Sequence, residues 1–300
     1  MNILLIGSSG QLGLEFLSID GVSKLNIQSP NSNQLDITSQ SNLDYFFNMS
    51  KPDIVLNFSA YTDVEKAESD SVKANNINNL SLEPIVKLCN DLNSLLIHIS
   101  TDYVFGGAGK GPYKDSSMTS PINSYGRSKE AGEKIIIEDS KNAIIIRTAS
   151  LYGLYRKNFF KKFISKLQND KTIDTISDHS ISITYSYDLA LFIYNLIIDY
   201  TKKSKKNFYK GVNILHIVNK GYTNWFQIGK VIADELNKNT IESGIFSVNE
   251  ISSNDWVSLA SRPNDSRLIL SNINHLFDMP NWEVSLRKAC KKILENSKHD

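Results

Sequence analysis

Asn2-Ile3-Leu4-Leu5-Ile6-Gly7-Ser8-Ser9-Gly10-Gln11-Leu12-Gly13 opens the chain. It reads as a short apolar β-type run, a glycine turn, and a helix start carried on by Leu12, Leu14, Phe16 and Leu17. Glycine admits positive φ and close backbone approach, and the first N–H groups of a helix are unpaired and can meet a pyrophosphate. Gly7, Gly10 and Gly13 stand at Gly-x-x-Gly-x-x-Gly spacing, a variant of the dinucleotide fingerprint. The same letters can form a turn with no ligand. Position favours the ligand, because this turn stands at the extreme N-terminus, directly follows a strand and opens a helix.

Working outward, a second strand is expected over 24–28. Its end, Gln28-Ser29-Pro30, has neither the acid that holds a ribose hydroxyl nor the arginine that meets a 2′-phosphate. NADH and NADPH therefore both stay open. Asp36 of Asp36-Ile37-Thr38 reads either as an adenine contact or as the cap of a helix over 40–49. A third buried strand is expected over 53–58, with Ser59-Ala60-Tyr61-Thr62 as the loop at its carboxyl end, where ligands bind in doubly wound sheets. The next helix, over 71–92, turns Ile77, Leu80, Ile85, Val86 and Cys89 inward. A fourth strand over 95–99 contains His98, read as a core or supporting histidine rather than a catalyst. A fifth covers 143–146.

Repeated β-α units predict an α/β fold, a doubly wound parallel sheet with helices on both faces. Past Gly153 the rhythm loosens, which marks a smaller C-terminal substrate-binding lobe. The expected division is a dinucleotide-binding domain over 1–150, rejoined by about 173–218, and a substrate lobe made of 151–172 and 219–300. Within the tail, helices are expected over 158–167, 188–200, 225–236 and from Trp282, with a strand over 215–218 returning to the main sheet.

Tyr125-Gly126-Arg127-Ser128-Lys129 carries the chemistry. A tyrosine and a lysine at i, i+4 share a helix face. A free phenol has a pKa of about 10, and bringing it to neutrality takes about 4 kcal/mol at roughly 1.36 kcal/mol per unit. The Lys129 ammonium, aided by a cationic nicotinamide, is the expected source. Ser100-Thr101-Asp102 falls at the carboxyl end of the fourth strand, and the Thr101 hydroxyl can hydrogen-bond a carbonyl that Tyr125 protonates. The competing reading of this triplet is a strand-end turn or helix cap.

Three hundred residues bury about three quarters of their unfolded surface. A net charge of +1 leaves no global field for nucleic acid or an anionic membrane, so neither partner is expected. The densest basic run, Lys202, Lys203, Lys205 and Lys206, reads as a solvated loop. Cys89 and Cys290, the two cysteines, lack metal-ligand spacing and fit reduced thiols in a cytoplasmic protein. The start has no signal-peptide pattern. The apolar stretch 189–198 is too short to cross a bilayer.

With these residues in view, the chain resembles the extended short-chain dehydrogenase/reductases, and within them the dTDP-4-dehydrorhamnose reductase branch. The likeness rests on the opening stretch, Leu35-Asp36-Ile37-Thr38, Ala60-Tyr61-Thr62-Asp63-Val64-Glu65-Lys66-Ala67-Glu68, Ser100-Thr101-Asp102-Tyr103-Val104-Phe105, the Tyr125–Lys129 segment, 221–226 and Arg262-Pro263. It implies a Rossmann-like sheet and a NADPH or NADH cofactor. Gly10, Gln11 and Leu12 would meet its pyrophosphate, Asp36 and Ile37 its adenine side, and Ala60, Tyr61 and Thr62 its middle. It further implies hydride transfer to the C4 ketone of a dTDP-linked 4-keto-6-deoxy-L-hexose, giving dTDP-L-rhamnose for surface polysaccharide. Thr101, Tyr125 and Lys129 would be the catalytic set, and Asp102, Tyr103, Ser150 and Arg262 would lie on the sugar. Another sugar-nucleotide reductase or epimerase, or a non-catalytic nucleotide-binding subunit, remains the alternative.

Three positions depart from the branch pattern. Ser150 stands where a tryptophan commonly packs on the sugar. Ile181 and Ile183 replace a glycine and a proline, and are expected to alter the pocket wall or its loop. Some relatives hold Mg²⁺ at a homodimer interface. Glu15 and Glu283 match two such positions and Tyr187 fills the third, so the two are read as surface glutamates and no metal is expected.

Overall fold

The computed structural model describes residues 1–107, 110–202, 208–239 and 245–296. Lys203, Lys205, Lys206 and residues 108 and 109 of the 106–111 loop lie outside the described residues. In chain order the strands are β1 Asn2–Ile6, β2 Asn26–Gln28, β3 Ile54–Asn57, β4 Leu95–Thr101, β5 Asn142–Thr148, β6 Leu151–Tyr152, β7 Thr172–Ile176, β8 Thr184–Tyr185, β9 Gly211–His216 and β10 Ser247–Ile251. The helices are α1 Gln11–Leu17, α2 Gln40–Ser50, α3 Val64–Ser69, α4 Ser71–Asn75, α5 Leu82–Leu92, α6 Ser124–Asp139, α7 Phe159–Asp170, α8 Ser186–Thr201, α9 Trp225–Asn239 and α10 Trp282–Asn296.

Among the described residues, β2-β1-β3-β4-β5-β9 form one all-parallel sheet in that order. Parallel strands are covered on both faces, which is why they read as unbroken apolar runs. Ile3, Leu5, Ile54, Leu56, Ile97 and Ile146 pack on one side with Phe16 of α1 and Leu189, Phe192 and Ile193 of α8. Leu4, Ile6, Val55, Leu96 and Ile145 pack on the other with Leu43 and Phe47 of α2, Val86 and Cys89 of α5, and Ile136 of α6. This is the Rossmann-like architecture expected. The order reverses between β1 and β3, and a ligand crevice is expected at the carboxyl ends beside that point.

Several boundaries differ. The helix expected over 71–92 is broken into α4, a π turn Asn76–Leu80 and α5, and the insertion turns Leu80 out to 46% exposure. Asp36 does not cap α2. Ser39 does, accepting from Asn42 N, while the Asp36 carboxylate accepts from the Thr38 N–H and hydroxyl. The return to the main sheet also begins later than residue 173. β7 pairs with β10 in a separate two-stranded sheet, and the chain rejoins through α8 and β9. β6, α7, β7, β8, α9, β10 and α10 share a second core, in which Tyr152, Phe160, Ile183, Ile228, Ile232 and Leu286 are buried. Ile181 and Ile183 belong to that core and do not line the crevice, so their departure from the branch pattern is a packing change. No described helix is long and apolar enough to cross a membrane.

Candidate active site

A cavity of about 1340 Å³ opens at the carboxyl ends of β1, β3, β4 and β5 and runs under the second core. Gly7, Gly10, Gln11 and Leu12 line it from the glycine turn, Asp36 and Ile37 from beyond β2, and Ala60 and Thr62 from beyond β3. Gly7 has φ of 83°, and a Cβ there would stand 2.6 Å from Ser59 N. No other residue fits between these two chain segments. A dinucleotide laid across the turn therefore meets bare backbone, as the fingerprint requires.

Two expected contacts fall elsewhere. Gly13 lies beneath the turn against the Gly7 carbonyl, and Tyr61 is absent from the lining because Asn78 binds both its backbone N–H and its carbonyl.

Thr101, Asp102, Tyr103, Tyr125, Lys129, Ser150 and Arg262 all line the same cavity. Asn123 begins α6, its side chain accepting from Gly126 N at 2.7 Å. A Cβ on Gly126 would lie 2.1 Å from the Tyr103 carbonyl, so glycine lets α6 press on the turn after β4 and brings Tyr125 beside Thr101. The Thr101 hydroxyl accepts from Tyr103 N, as the turn reading had it, and Thr101 also lines the cavity. Tyr103 and Tyr125 meet edge to face, with centroids 6.0 Å apart.

Electrostatics correct one expectation. Burial pushes the Tyr125 phenol above its ordinary value, the hydrogen bond with Thr101 offsets this only in part, and Asp102 and Tyr103 push it further up. Lys129 is buried and its ammonium is brought down to about 8, first by desolvation, with the Glu133 charge opposing. Its Nζ donates to the Ile99 carbonyl at 2.7 Å and lies 3.0 Å from His98 Nε2. His98 is thus a supporting residue, as one of its two readings had it. Burial lifts Asp102 to about 6, against hydrogen bonds from Ser266 and Thr101.

Sequence reasoning missed the wall across the crevice. Arg156, Lys157, Asn158, Phe159, Lys162 and Trp225 line it. Arg156 Nε donates to the Ser9 carbonyl at 2.7 Å, and Asn158 Nδ2 to Gln11 Oε1 at 2.8 Å, so this segment is fastened to the glycine turn. The Arg156-Lys157 pair directly before an Asn cap was the available signal.

Glu15 corrects another reading. It is 1% exposed, accepts from Leu154 N and is raised by burial, so it is not a surface glutamate. Glu283 pairs with Arg287. Among the described residues no group of three or more metal-ligating side chains is assembled.

The family model described as RmlD substrate binding domain matches residues 1–295. The dTDP-4-dehydrorhamnose reductase of Salmonella typhimurium LT2 is 31% identical over 293 residues, covering 96% of each chain. The chain belongs to the dTDP-4-dehydrorhamnose reductase family. Among solved structures, the Bacillus anthracis dTDP-4-dehydrorhamnose reductase in complex with NADP superposes with a TM-score of 0.86 at 29% identity, covering 97% of this chain and 98% of that one. A Clostridium acetobutylicum member gives 0.85 at 26% identity, with 98% and 99% covered. Membership of this reductase family makes the chain an oxidoreductase.

Proposed function

We propose that the chain reduces the C4 ketone of a dTDP-linked 4-keto-6-deoxy-L-hexose to dTDP-L-rhamnose, with NADPH or NADH as the electron donor. The observation that carries this reading is the meeting of Thr101, Tyr125 and Lys129 in one cavity with the glycine turn. A bound reduced nicotinamide supplies the hydride. Tyr125 gives its proton to the carbonyl oxygen as charge develops there, and the Thr101 hydroxyl orients that oxygen. Lys129, held by the Ile99 carbonyl, keeps a donor for the nicotinamide ribose and places positive charge near the phenol.

The sugar end is assigned to Asp102, Tyr103 and Arg262, and Lys157 and Lys162 face the same cavity with charge suited to a diphosphate. Ser150, small and polar where the branch has tryptophan, favours a second reading in which the hexose differs from rhamnose's precursor. The direct test is oxidation of NADPH and NADH, followed by absorbance, with dTDP-4-keto-6-deoxy-L-hexulose as substrate. Turnover to dTDP-L-rhamnose establishes the reading; cofactor binding without turnover turns attention to another nucleotide sugar.

A further inference from the structure

Asn57, His98 and Lys129 form a buried line of side chains across β3, β4 and α6, each 1% exposed. The Asn57 amide has a fixed direction: its Oδ1 accepts from the Ser59 N–H at 3.2 Å and the Ser59 hydroxyl at 2.6 Å. A backbone N–H is only a donor, so oxygen must face it and Nδ2 must face His98. Nδ2 lies 3.2 Å from His98 Nδ1, which therefore accepts. A neutral imidazole carries one proton, and with Nδ1 as acceptor that proton is on Nε2. Nε2 in turn lies 3.0 Å from Lys129 Nζ. An N–H cannot point at an ammonium, so this arrangement suits a neutral amine whose lone pair accepts. An ammonium would require the opposite: Nε2 accepting, the proton on Nδ1, and the Asn57 amide turned so that Oδ1 faces His98 and leaves the Ser59 N–H.

We propose that His98 is a positioning residue which, through Asn57, couples the charge on Lys129 to the Ser59 loop walling the cofactor side of the cavity. This rests on Lys129 serving the reduction. The proton balance is one taken up: the Nε2 proton passes to the Nζ lone pair, and one proton entering from the cavity is bound at Nδ1 as the Asn57 amide turns, so the imidazole is neutral in both states. Burial and the Lys129 charge both keep His98 well below its ordinary value, which fits an imidazole that stays neutral. The other charged and titratable groups around the line are Tyr125 and Glu133 on α6, Asp102 beyond β4, Arg147 on β5 bound to Glu133 at 2.6 Å, and Glu68 on α3 against Ser124, the first residue of α6. None of them accepts from His98.

The tautomer is directly readable by ¹⁵N NMR of protein labelled in its five histidines, with the His98 signals assigned from a His98→Gln variant. The expected result is an Nε2–H imidazole above about pH 9 that becomes Nδ1–H below about pH 7, on either side of the value of about 8 to which burial brings Lys129. A single tautomer across that range overturns the proposal. The NMR readout does not depend on turnover, so it separates this inference from the reductase reading. In Asn57→Asp the carboxylate can only accept, which fixes the Nδ1–H form and keeps Lys129 charged. The alkaline fall of kcat should then move up by at least about one pH unit. An unmoved profile in folded Asn57→Asp overturns the coupling.

Discussion

Arg262 Nη2 lies 2.5 Å from Glu65 Oε1, and the same Glu65 carboxylate accepts the backbone N–H groups of Leu259 and Ala260. Partial burial works against the charged form, but the bonds from Ser258, Arg262 and Ala260 hold the Glu65 carboxyl at about 2. One acidic side chain on α3 thus fixes both the Arg262 guanidinium and the segment 258–262 at the cavity mouth. Glu65→Ala should raise KM for the sugar nucleotide about tenfold, roughly 1.4 kcal/mol, while the cofactor KM stays nearly unchanged. Steady-state kinetics with each substrate varied in turn decides the point; equal changes in both constants would refute the assignment of Arg262 to the sugar end.

Tyr125→Phe removes the proton donor and leaves the edge-to-face contact with Tyr103 in place. A loss of at least about 10²-fold in kcat is expected, the scale for losing one donor at a developing oxyanion. Cofactor binding, measured by nucleotide fluorescence, should be nearly intact. Near-normal turnover would exclude Tyr125 from the mechanism.

Asp102 sets stability against function. Its carboxyl is raised from the ordinary 3.8 to about 6 by burial, so the folded protein holds the ionised form unfavourably. Between those values the folded state binds more protons than the unfolded one, stability from this group falls as pH rises, and the full cost is present above about 6. Asp102→Asn should therefore be more stable than the parent at pH 8, by on the order of 1–3 kcal/mol, with the difference vanishing near pH 4. Denaturant titration at the two pH values tests the sign. Weakened sugar binding in the same variant is the expected accompaniment.

Ser150 has φ of 39° and lines the cavity. The left-handed region is strained for any side chain with a Cβ and more so for a bulky one, so Ser150→Trp adds a stacking face at some cost in backbone strain. Its KM for the dTDP-sugar should fall about fivefold, the scale of roughly 1 kcal/mol for one aromatic contact. An unchanged or higher KM would show that the sugar does not pass over this position.

The main sheet was legible because its strands are buried on both faces. Ile54-Val55-Leu56 and Ala143-Ile144-Ile145-Ile146 are apolar without alternation, and turns with functional residues separate them from helices. The cavity floor was legible for the same reason: Thr101 and Asp102 sit where such a strand must end. The opposite wall was not. β7 and β10 pair Thr172–Ile176 with Ser247–Ile251, two short polar segments far apart in the chain, and neither carries a local signal for the other. Nor did Arg147 and Glu133 announce the buried ion pair they make at 2.6 Å, since each alone reads as a surface charge. The upward shift of the Tyr125 phenol likewise depends on how deeply the fold places it, which spacing does not encode.

The second core draws on segments before α8 and after β9, while α8 covers one face of the sheet and β9 completes its edge. No single cut of the backbone releases that part of the molecule whole. Exchanging it between proteins takes crossovers on both sides of α8 and β9, and during synthesis it is complete only after the last strand of the sheet has been made. A change confined to the crevice, where Ser150 and Trp225 stand, needs a single point substitution, whereas replacing the whole module needs both segments at once.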